Sequence, residues 1–435
     1  MTGTNPARQA PIDIAALADD PYAVYAQFRR AGPVHRITGT DGLPAWLVTG
    51  YDDVREALAD PRLSLDKRNV TPGGYRGMAL PPALDANLLN MDPPDHTRIR
   101  RLVSRAFTPR RIERLREPVR RTADELLDAI AADERADLIA SYAAPLPITV
   151  ICDLLGVAPA DRLDFRSWTD ALVAPDPTRP SLAREAIGNM LSFLTHLIAG
   201  KRTAPADDLL SAMIAVRDEE DRLNEDELTS LAFLILFAGY ENTVHLIGNA
   251  ILALLRHPDQ SAELRADPAR LSAAVEESAR YDGPMPLAVR RFPTEDTSIG
   301  GVTIPAGETV LLSLAAAHRD PRRFTDPDRF DIHRDATGHL ALGHGIHYCL
   351  GAPLARMETE IALSALLDRF PDMALDVPPS ELRWRPSMRS RGLLALPVRT
   401  GGAERTVADR SMTGFAASIR DGCGSFRGTA EPGRR

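Results

Sequence analysis

The residues with the clearest chemical potential form a loop from Leu342 to Gly351, with Cys349 near its end. Cys349 precedes a helix-like segment, so it faces unpaired backbone N–H groups and the positive end of a helix dipole, which both favour thiolate over thiol. Gly343, Gly345 and Gly351 lack side chains, so a flat ligand can approach the backbone closely. The loop is therefore suited to present a thiolate to the iron of a flat macrocycle such as haem.

A different interpretation of this loop makes His344, His347 and Cys349 ligands of a zinc ion. Zinc sites usually bring pairs of ligands from two sides of the metal, and no second Cys/His cluster accompanies this one. The loop alone therefore favours haem over zinc. A buried cysteine without a chemical role is the remaining alternative.

A second polar motif, Ala238–Thr243, interrupts the longest apolar segment of the chain. We predict a helix over Asn224–His257, because the segment starts with a capping-box pattern and Pro258 ends it. An acid and an amide inside an apolar helix are costly unless they have partners, which makes Glu241 and Asn242 candidates for chemistry. The small residues before them leave one helix face thin enough for a planar cofactor. A polar kink without chemistry is the alternative.

Two further motifs place cationic side chains where they could bind a carboxylate. His96 and Arg100 are four residues apart and share a face of a helix that we expect Asp92 to cap. Arg291 lies on a predicted strand, whose alternation directs its neighbour Arg290 to the opposite face. A solvated basic helix is the alternative for the first motif, and Arg290 is an adjacent competitor for the role of Arg291.

In this order and spacing, the motifs resemble those of cytochromes P450. The Cys349 loop is similar to the family's haem-binding loop, with Leu342 in place of the usual aromatic residue. The polar motif resembles the family's oxygen-activation segment, with Asn242 at the position of the usual alcohol and Thr243 following it. The resemblance covers roughly residues 20–399 and implies a mainly α fold with small β-sheets. Haem would be buried between a long central helix and the cysteine loop with its helix.

The resemblance also implies which residues contact haem b. Cys349 would be the axial thiolate ligand of the iron, and Ala238, Gly343 and Gly351 would lie against the cofactor. The propionates would be bound by four side chains: His96, Arg100, Arg291 and His347.

Glu277 and Arg280 are three residues apart and share a helix face. Alone, such a pair is usually a surface ion pair. With Arg329 further along, the pair is similar to the family's Glu-x-x-Arg helix and meander arginine. The resemblance implies that Glu277, Arg280 and Arg329 form a buried structural triad that holds the haem loop in place.

The implied activity is that of a haem-thiolate monooxygenase, which inserts one oxygen atom from O₂ into a C–H bond by hydroxylation or epoxidation. We expect the substrate to be a mid-sized, largely apolar small molecule of bacterial secondary metabolism. A haem-thiolate enzyme that catalyses oxidative coupling or dehydration without oxygen insertion is one alternative. A non-catalytic haem- or ligand-binding protein is another.

Within this mechanism, Glu241 is the candidate for proton supply, and Asn242 would order water beside the bound oxygen. Thr243 lies about 100° further around the helix, so it should not replace the missing alcohol directly. The expected pocket walls are Leu234, Phe237, Ala238, Leu287, Val289 and Met388. Residues 75–89 and 170–180 are predicted gating loops, because their glycine and proline content suits lids.

Composition limits the partners and the location. The formal net charge of -8 argues against nucleic-acid binding, and 3 cysteines in 435 residues indicate a reducing compartment rather than a disulfide framework. We expect a cytoplasmic monomer without a membrane anchor. No flavin or nicotinamide fingerprint is present, so electrons should come from a ferredoxin and its reductase. The candidate docking patch, with ordinary solvated arginines as the alternative, comprises Arg98, Arg101, Arg105 and Arg110.

The chain divides by composition into three parts. Residues 1–20 are a predicted loose leader, and residues 21–400 a predicted single domain. Residues 401–435 are rich in Gly, Ser, Thr, Arg and Ala, which predicts a disordered tail.

Overall fold

The computed structural model describes residues 20–39, 42–76, 80–173, 179–215 and 223–401. The predicted leader, apart from Asp20, and the predicted tail, apart from Gly401, lie outside the described residues. Parts of both predicted gating loops, at 77–79 and 174–178, also lie outside them.

Helices dominate the described chain, as the sequence predicts. In chain order the α-helices are α1 Pro21–Ala31, α2 Tyr51–Ala59, α3 Pro82–Asp85, α4 Asp95–Ala106, α5 Pro109–Glu113, α6 Arg116–Ile130, α7 Pro145–Leu155, α8 Arg162–Val173, α9 Pro180–Thr203, α10 Leu209–Ala215, α11 Glu225–Leu255, α12 Pro258–Ala266, α13 Leu271–Tyr281, α14 Leu314–His318 and α15 Ala352–Arg369. A π-helical turn at Ile139–Ala143 leads into α7.

The strands are short and form small sheets. They are β1 Val34–Thr38, β2 Pro44–Val48, β3 Leu63–Ser64, β4 Arg135–Asp137, β5 Phe292–Pro293, β6 Thr297–Ile299, β7 Val302–Ile304, β8 Val310–Leu312, β9 Ala374–Leu375 and β10 Pro397–Arg399. One sheet has the order β1-β2-β8 with β2 and β8 parallel, and another has the order β4-β10-β9. The remaining pairs are β3-β5 and the hairpin β6-β7, which turns at two glycines with φ of 54° and 78°.

The central helix, α11, organises the core. Its capping box is confirmed: the Asn224 side chain accepts from the Glu227 N–H at 2.8 Å, and the Glu227 carboxylate accepts from the Asn224 N–H at 2.9 Å. By length and composition the helix could cross a membrane, but 61% of its most apolar window is buried inside the fold. It packs against α7, α13 and α15, so its apolar faces are covered by protein.

Helix α4 begins at Asp95, not at Pro93 as predicted. Asp92 does not cap it with its side chain. The Asp92 carboxylate instead accepts from the Leu65 N–H at 3.1 Å and from the Ser64 hydroxyl, which ties β3 to the start of α4. The capping prediction is therefore wrong, because a tertiary partner uses the carboxylate that a local cap would need.

Candidate active site

Backbone hydrogen bonds fold the cysteine loop, residues 342–351, back on itself. The Cys349 N–H donates to the Leu342 carbonyl at 2.8 Å, and the Gly343 N–H donates to the Leu340 carbonyl at 2.9 Å. Gly343 and Gly345 adopt left-handed φ values of 77° and 71°, which side chains rarely tolerate. The fold of the loop directs Cys349 into a cavity below the central helix.

The electrostatics of Cys349 differ from the prediction. Burial raises the pKa of its thiol, although the N–H groups of Gly351 and Ala352 and the charges of Arg100 and Arg356 oppose this effect. The helix terminus therefore does not by itself make the cysteine a thiolate, because desolvation outweighs the local dipoles. A coordinated metal cation supplies the missing positive charge and deprotonates a thiol directly.

The cavity lies between the central helix and the cysteine loop and has a volume of about 290 Å³. Its walls also include parts of α4 and of the 284–291 segment. Among the predicted wall residues, Leu234, Ala238 and Val289 line it. The lining is mostly apolar, and the described wall residues that sequence reasoning missed include Leu88, Leu89, Val103, Ile235, Met285 and Leu314.

Three predicted wall residues, Phe237, Leu287 and Met388, are not among the described residues that line the cavity. Phe237 stacks on Phe233, with ring centroids 5.7 Å apart. Leu287 and Met388 pack in a separate buried cluster with Tyr25. The Met388 prediction failed because its turn lies over that second core, which sequence spacing cannot reveal.

Two imidazoles and an arginine lie together at one edge of the cavity. The His96 and His347 rings are 4.2 Å apart at their centroids, and Arg291 lines the cavity beside them. Burial, with the charges of Arg291, His96 and Arg100, lowers the pKa of His347 to about 3, and burial also lowers that of Arg291 to about 10. Among the described residues no partner reaches either ring nitrogen of His96, Nδ1 of His347 or Nη1 of Arg291. An anionic group would satisfy all of them.

The other two arginines near this edge have protein partners. Arg100 lines the cavity, and its Nη2 donates to the Tyr348 carbonyl at 2.6 Å. Arg290 points the opposite way from Arg291, as strand alternation predicts, and its Nη2 donates to Asn90 at 2.9 Å. Arg291 is therefore the arginine of this pair that faces the cavity.

The polar motif of the central helix divides between two faces. Asn242 lines the cavity, and its amide donates to the Ala238 carbonyl at 2.9 Å, which leaves the amide oxygen free to accept. The Thr243 hydroxyl donates to the Gly239 carbonyl at 2.7 Å. Glu241 is not among the described cavity-lining residues, and its carboxylate accepts from the Ser390 hydroxyl at 2.8 Å.

The predicted structural triad forms with one different member. Arg280 and Glu277 are fully buried and paired through two hydrogen bonds of 2.7 and 2.8 Å. The second arginine on Glu277 is Arg334, at 3.2 Å. The Arg329 side chain is exposed, and only its backbone carbonyl takes part, accepting from both arginines. The Arg329 prediction is wrong because Arg334, five residues further along the chain, turns inward and makes the contact with Glu277 predicted for Arg329.

Zinc binding is not supported by the geometry. Among the described residues no three His, Cys, Asp or Glu side chains come together to hold a metal ion. His347 instead pairs with His96, and Cys349 faces the cavity without a second protein ligand beside it.

One of the four arginines predicted to form a basic docking patch has a different role in the structure. Arg98 forms an ion pair with Glu227 at the start of the central helix, so it belongs to the scaffold. Arg101, Arg105 and Arg110 remain exposed.

One buried acid in the cavity wall escaped the sequence analysis. Glu358, on α15, is 2% exposed, and within the described structure its Oε2 has no hydrogen-bond partner. Burial raises its pKa well above the usual range, so it is a neutral carboxylic acid. Its place two turns after Cys349 on an apolar helix is the signal that could have identified it.

These residues fit haem. The site combines a cysteine that needs a cation, imidazole and guanidinium nitrogens that need a hydrogen-bond acceptor, and an apolar slot beneath a small residue of the central helix. Haem supplies each complement, with an iron centre, two propionates and a flat apolar ring.

Comparison with known proteins agrees with this geometry. The cytochrome P450 family model matches residues 195–397. Cytochrome P450 monooxygenase PikC of Streptomyces venezuelae is 53% identical over 395 residues, 89% of this chain and 94% of that protein. The 6-deoxyerythronolide B hydroxylase of Saccharopolyspora erythraea is 45% identical over 394 residues, 88% of this chain and 96% of that protein.

A solved structure extends the similarity to the fold. The tirandamycin C-bound P450 monooxygenase TamI is 47% identical and superposes with a TM-score of 0.82, covering 90% of this chain and 100% of that one. Bacterial enzymes of this kind bind haem b through a cysteine thiolate, use O₂, act on small molecules and take electrons from redox partners. The chain belongs to the cytochrome P450 family and is a haem-thiolate monooxygenase.

Proposed function

We propose that this enzyme hydroxylates or epoxidises a polyketide-type macrocycle or a similarly sized apolar secondary metabolite. The observation that carries this proposal is the apolar cavity wall, to which Leu234, Ile235, Met285 and Val289 contribute. Similar proteins include a 6-deoxyerythronolide B hydroxylase and a mycinamicin IV hydroxylase/epoxidase, which supports this substrate class.

The described residues suit the cofactor's contacts. Cys349 would ligate the iron, and His96, His347 and Arg291, with Arg100 at the same edge, would hold the propionates. Ala238, Gly343 and Gly351 leave room for the ring. When bound, haem supplies the site at which O₂ is activated by electron and proton delivery.

The chain's own contribution to proton delivery lies on the central helix. Asn242 and Thr243 are the residues of the polar motif that line the cavity, and the amide oxygen of Asn242 can hold a water molecule there. Glu241 is the proton source, but it faces away from the cavity towards Ser390, so it must rotate to act. The Thr243 hydroxyl is engaged by its own helix and has no direct part in the transfer.

Product analysis tests the reaction. We expect purified holoenzyme, supplied with a ferredoxin and its reductase, to bind macrolactones with displacement of iron-bound water in the absorbance spectrum. Turnover under labelled O₂ should add one labelled oxygen atom to the product. A product without label would identify a coupling or dehydrating enzyme. Full electron supply without loss of any bound substrate would indicate a binding protein.

Replacement of Asn242 by threonine tests the position at which this chain has an amide and the family usually has an alcohol. An amide is a poor proton relay, so Asn242→Thr should change the ratio of peroxide to product by a factor on the order of 10 with the true substrate. The Thr243→Val variant is the matched control and should leave that ratio near its native value. Equal ratios in native enzyme and Asn242→Thr would show that the amide has no special role.

We further propose that a ferredoxin docks beside the cysteine loop of a cytoplasmic, monomeric enzyme. The exposed Arg101 and Arg105 lie on α4, whose Arg100 contacts the loop at Tyr348. An acidic partner suits these charges. Arg101→Glu should lower the rate of the first electron transfer, most strongly at low salt, while Arg116→Glu on α6 should not.

A further inference from the structure

Glu241 and His245 are one helical turn apart and face a segment that packs against the central helix. The His245 Nε2 lies 3.4 Å from Glu241 Oε1, the same oxygen that accepts from the Ser390 hydroxyl at 2.8 Å. Neither side chain is among the described cavity-lining residues. The acid is therefore held between an imidazole and a hydroxyl, on the side of the helix that the cavity does not reach.

His245 is enclosed on its other side. Its side chain is 1% exposed, and within the described structure neither ring nitrogen has a partner with hydrogen-bond geometry. A Cβ added to Gly392 would lie 1.9 Å from its Nδ1, so only glycine lets the 390–392 segment pass. A buried imidazole without hydrogen bonds is costly, and the carboxylate of Glu241 is what offsets that cost here.

The surrounding charges define the pair. Arg385 acts on Glu241 from the neighbouring segment, while Asp282 and Arg391 neutralise each other at 3.1 Å. Burial alone would raise the pKa of Glu241, but His245, Ser390 and Arg385 together bring it below its usual value. Glu241 is thus ionised at neutral pH, and its release requires a proton.

We propose that His245 is the positioning residue that holds Glu241 away from the cavity and returns a proton to it in each turnover. A proton leaves His245 Nε2 and binds Glu241 Oε1, so one N–H bond breaks, one O–H bond forms, and no electrons are exchanged. The neutral acid then rotates towards Asn242 and gives the proton to water there. A proton from solvent then restores the N–H bond at His245 Nε2. This inference rests on the proposed role of Glu241 as the proton source.

The test measures Glu241 directly in the holoenzyme, through the infrared band of its protonated carboxyl group, assigned by its loss in Glu241→Gln. In His245→Asn the band should appear at higher pH than in the native enzyme, because the imidazole that lowers the pKa of Glu241 is gone. The ratio of peroxide to product should rise on the order of 10-fold, below the ~10²–10⁴-fold typical of a group that transfers protons to the reacting atoms itself.

His257→Asn is the matched control. It removes an imidazole just beyond the end of the same helix that has no proposed role at Glu241, and whose Nδ1 is hydrogen-bonded to the Ala253 carbonyl. Both readouts should stay native in this variant. If His245→Asn does not fold, His245→Gln replaces it, and the Glu241 band should again appear at higher pH than in the native enzyme.

An unchanged titration of the Glu241 band in the His245 variants overturns the inference. If the band shifts and Glu241→Gln raises peroxide release while His245→Asn does not, the relay role of His245 is wrong but Glu241 remains the proton source. If neither variant changes peroxide release, the proposed role of Glu241 fails and this inference fails with it.

Discussion

Two groups of basic side chains support the active site. They differ in whether a carboxylate of the same chain or a bound ligand provides their negatively charged partner. Arg280 and Arg334 meet Glu277, a carboxylate of the same chain that is fully buried. His96, His347 and Arg291 converge at the cavity edge with polar atoms that meet no acceptor within the described structure. The first group is complete without a ligand, whereas the second is complete only with one.

This difference shows that one group of basic side chains stabilises the fold, whereas the other is arranged to bind a ligand. A buried ion pair is strongly destabilising when one partner is removed, so the Glu277 group fixes the chain around it. Burying polar groups without partners costs stability, and burial with the neighbouring charges keeps the His347 imidazole neutral, with a pKa of about 3. An anionic ligand would regain that cost as affinity. The comparison therefore predicts opposite consequences of mutation in the two groups.

The largest effect should come from Glu277→Gln, which keeps the shape but leaves two buried arginines without their counter-charge. We expect a loss of about 3–5 kcal/mol in the free energy of unfolding, measured by denaturant titration of the holoenzyme. The adjacent Glu276→Gln is the control, since its pair with Arg356 is partly exposed and should cost only about 1 kcal/mol. Equal losses in the two variants would contradict the distinction.

An intermediate effect should separate Arg334 from Arg329. Arg334→Ala removes the contact with Glu277 and the bonds to the carbonyls of Asp326 and Arg329, so we expect a loss of about 2–3 kcal/mol. Arg329→Ala keeps its backbone carbonyl and should change stability by less than about 0.5 kcal/mol. The same denaturant titration decides, and a larger loss for Arg329→Ala would restore the sequence prediction.

The smallest effect on stability, but a clear effect on the cofactor, is expected for Arg291→Leu. Losing one charge-assisted hydrogen bond, worth about 1.5–3 kcal/mol, should speed haem loss to a haem-scavenging protein by about 10-fold or more. Arg290→Leu removes a neighbouring arginine that faces away from the cavity and should leave the rate of haem loss unchanged. Similar rates in both variants would show that Arg291 does not hold a propionate.

Much of the site was predictable because its signals are local. The capping box at Asn224, the glycine turns beside Cys349, the spacing of Glu277 and Arg280, and the alternation of Arg290 and Arg291 each depend on residues a few positions apart. Local geometry and side-chain chemistry fix such features before the chain is folded.

Other predictions failed at residues whose position depends on contacts with segments distant in sequence. Arg329 faces solvent while Arg334 turns inward, and Met388 packs with Tyr25 in a separate core. Asp92 binds β3 instead of capping α4. In each case contacts between segments remote in sequence decide the arrangement, which local spacing cannot show.

The amino-acid sequence by itself determined which groups are available: one cysteine in a glycine-rich loop, an acid and an amide inside an apolar helix, and cations at helix and strand spacing. Only the tertiary structure decided their charge and direction. Burial raises the pKa of Cys349, and Glu241 contacts Ser390 and His245 rather than lining the cavity. Ring nitrogens of His96 and His347 have no hydrogen-bond partner in the described structure. The reason is physical, because desolvation and the contacts between remote segments arise only when the chain is packed.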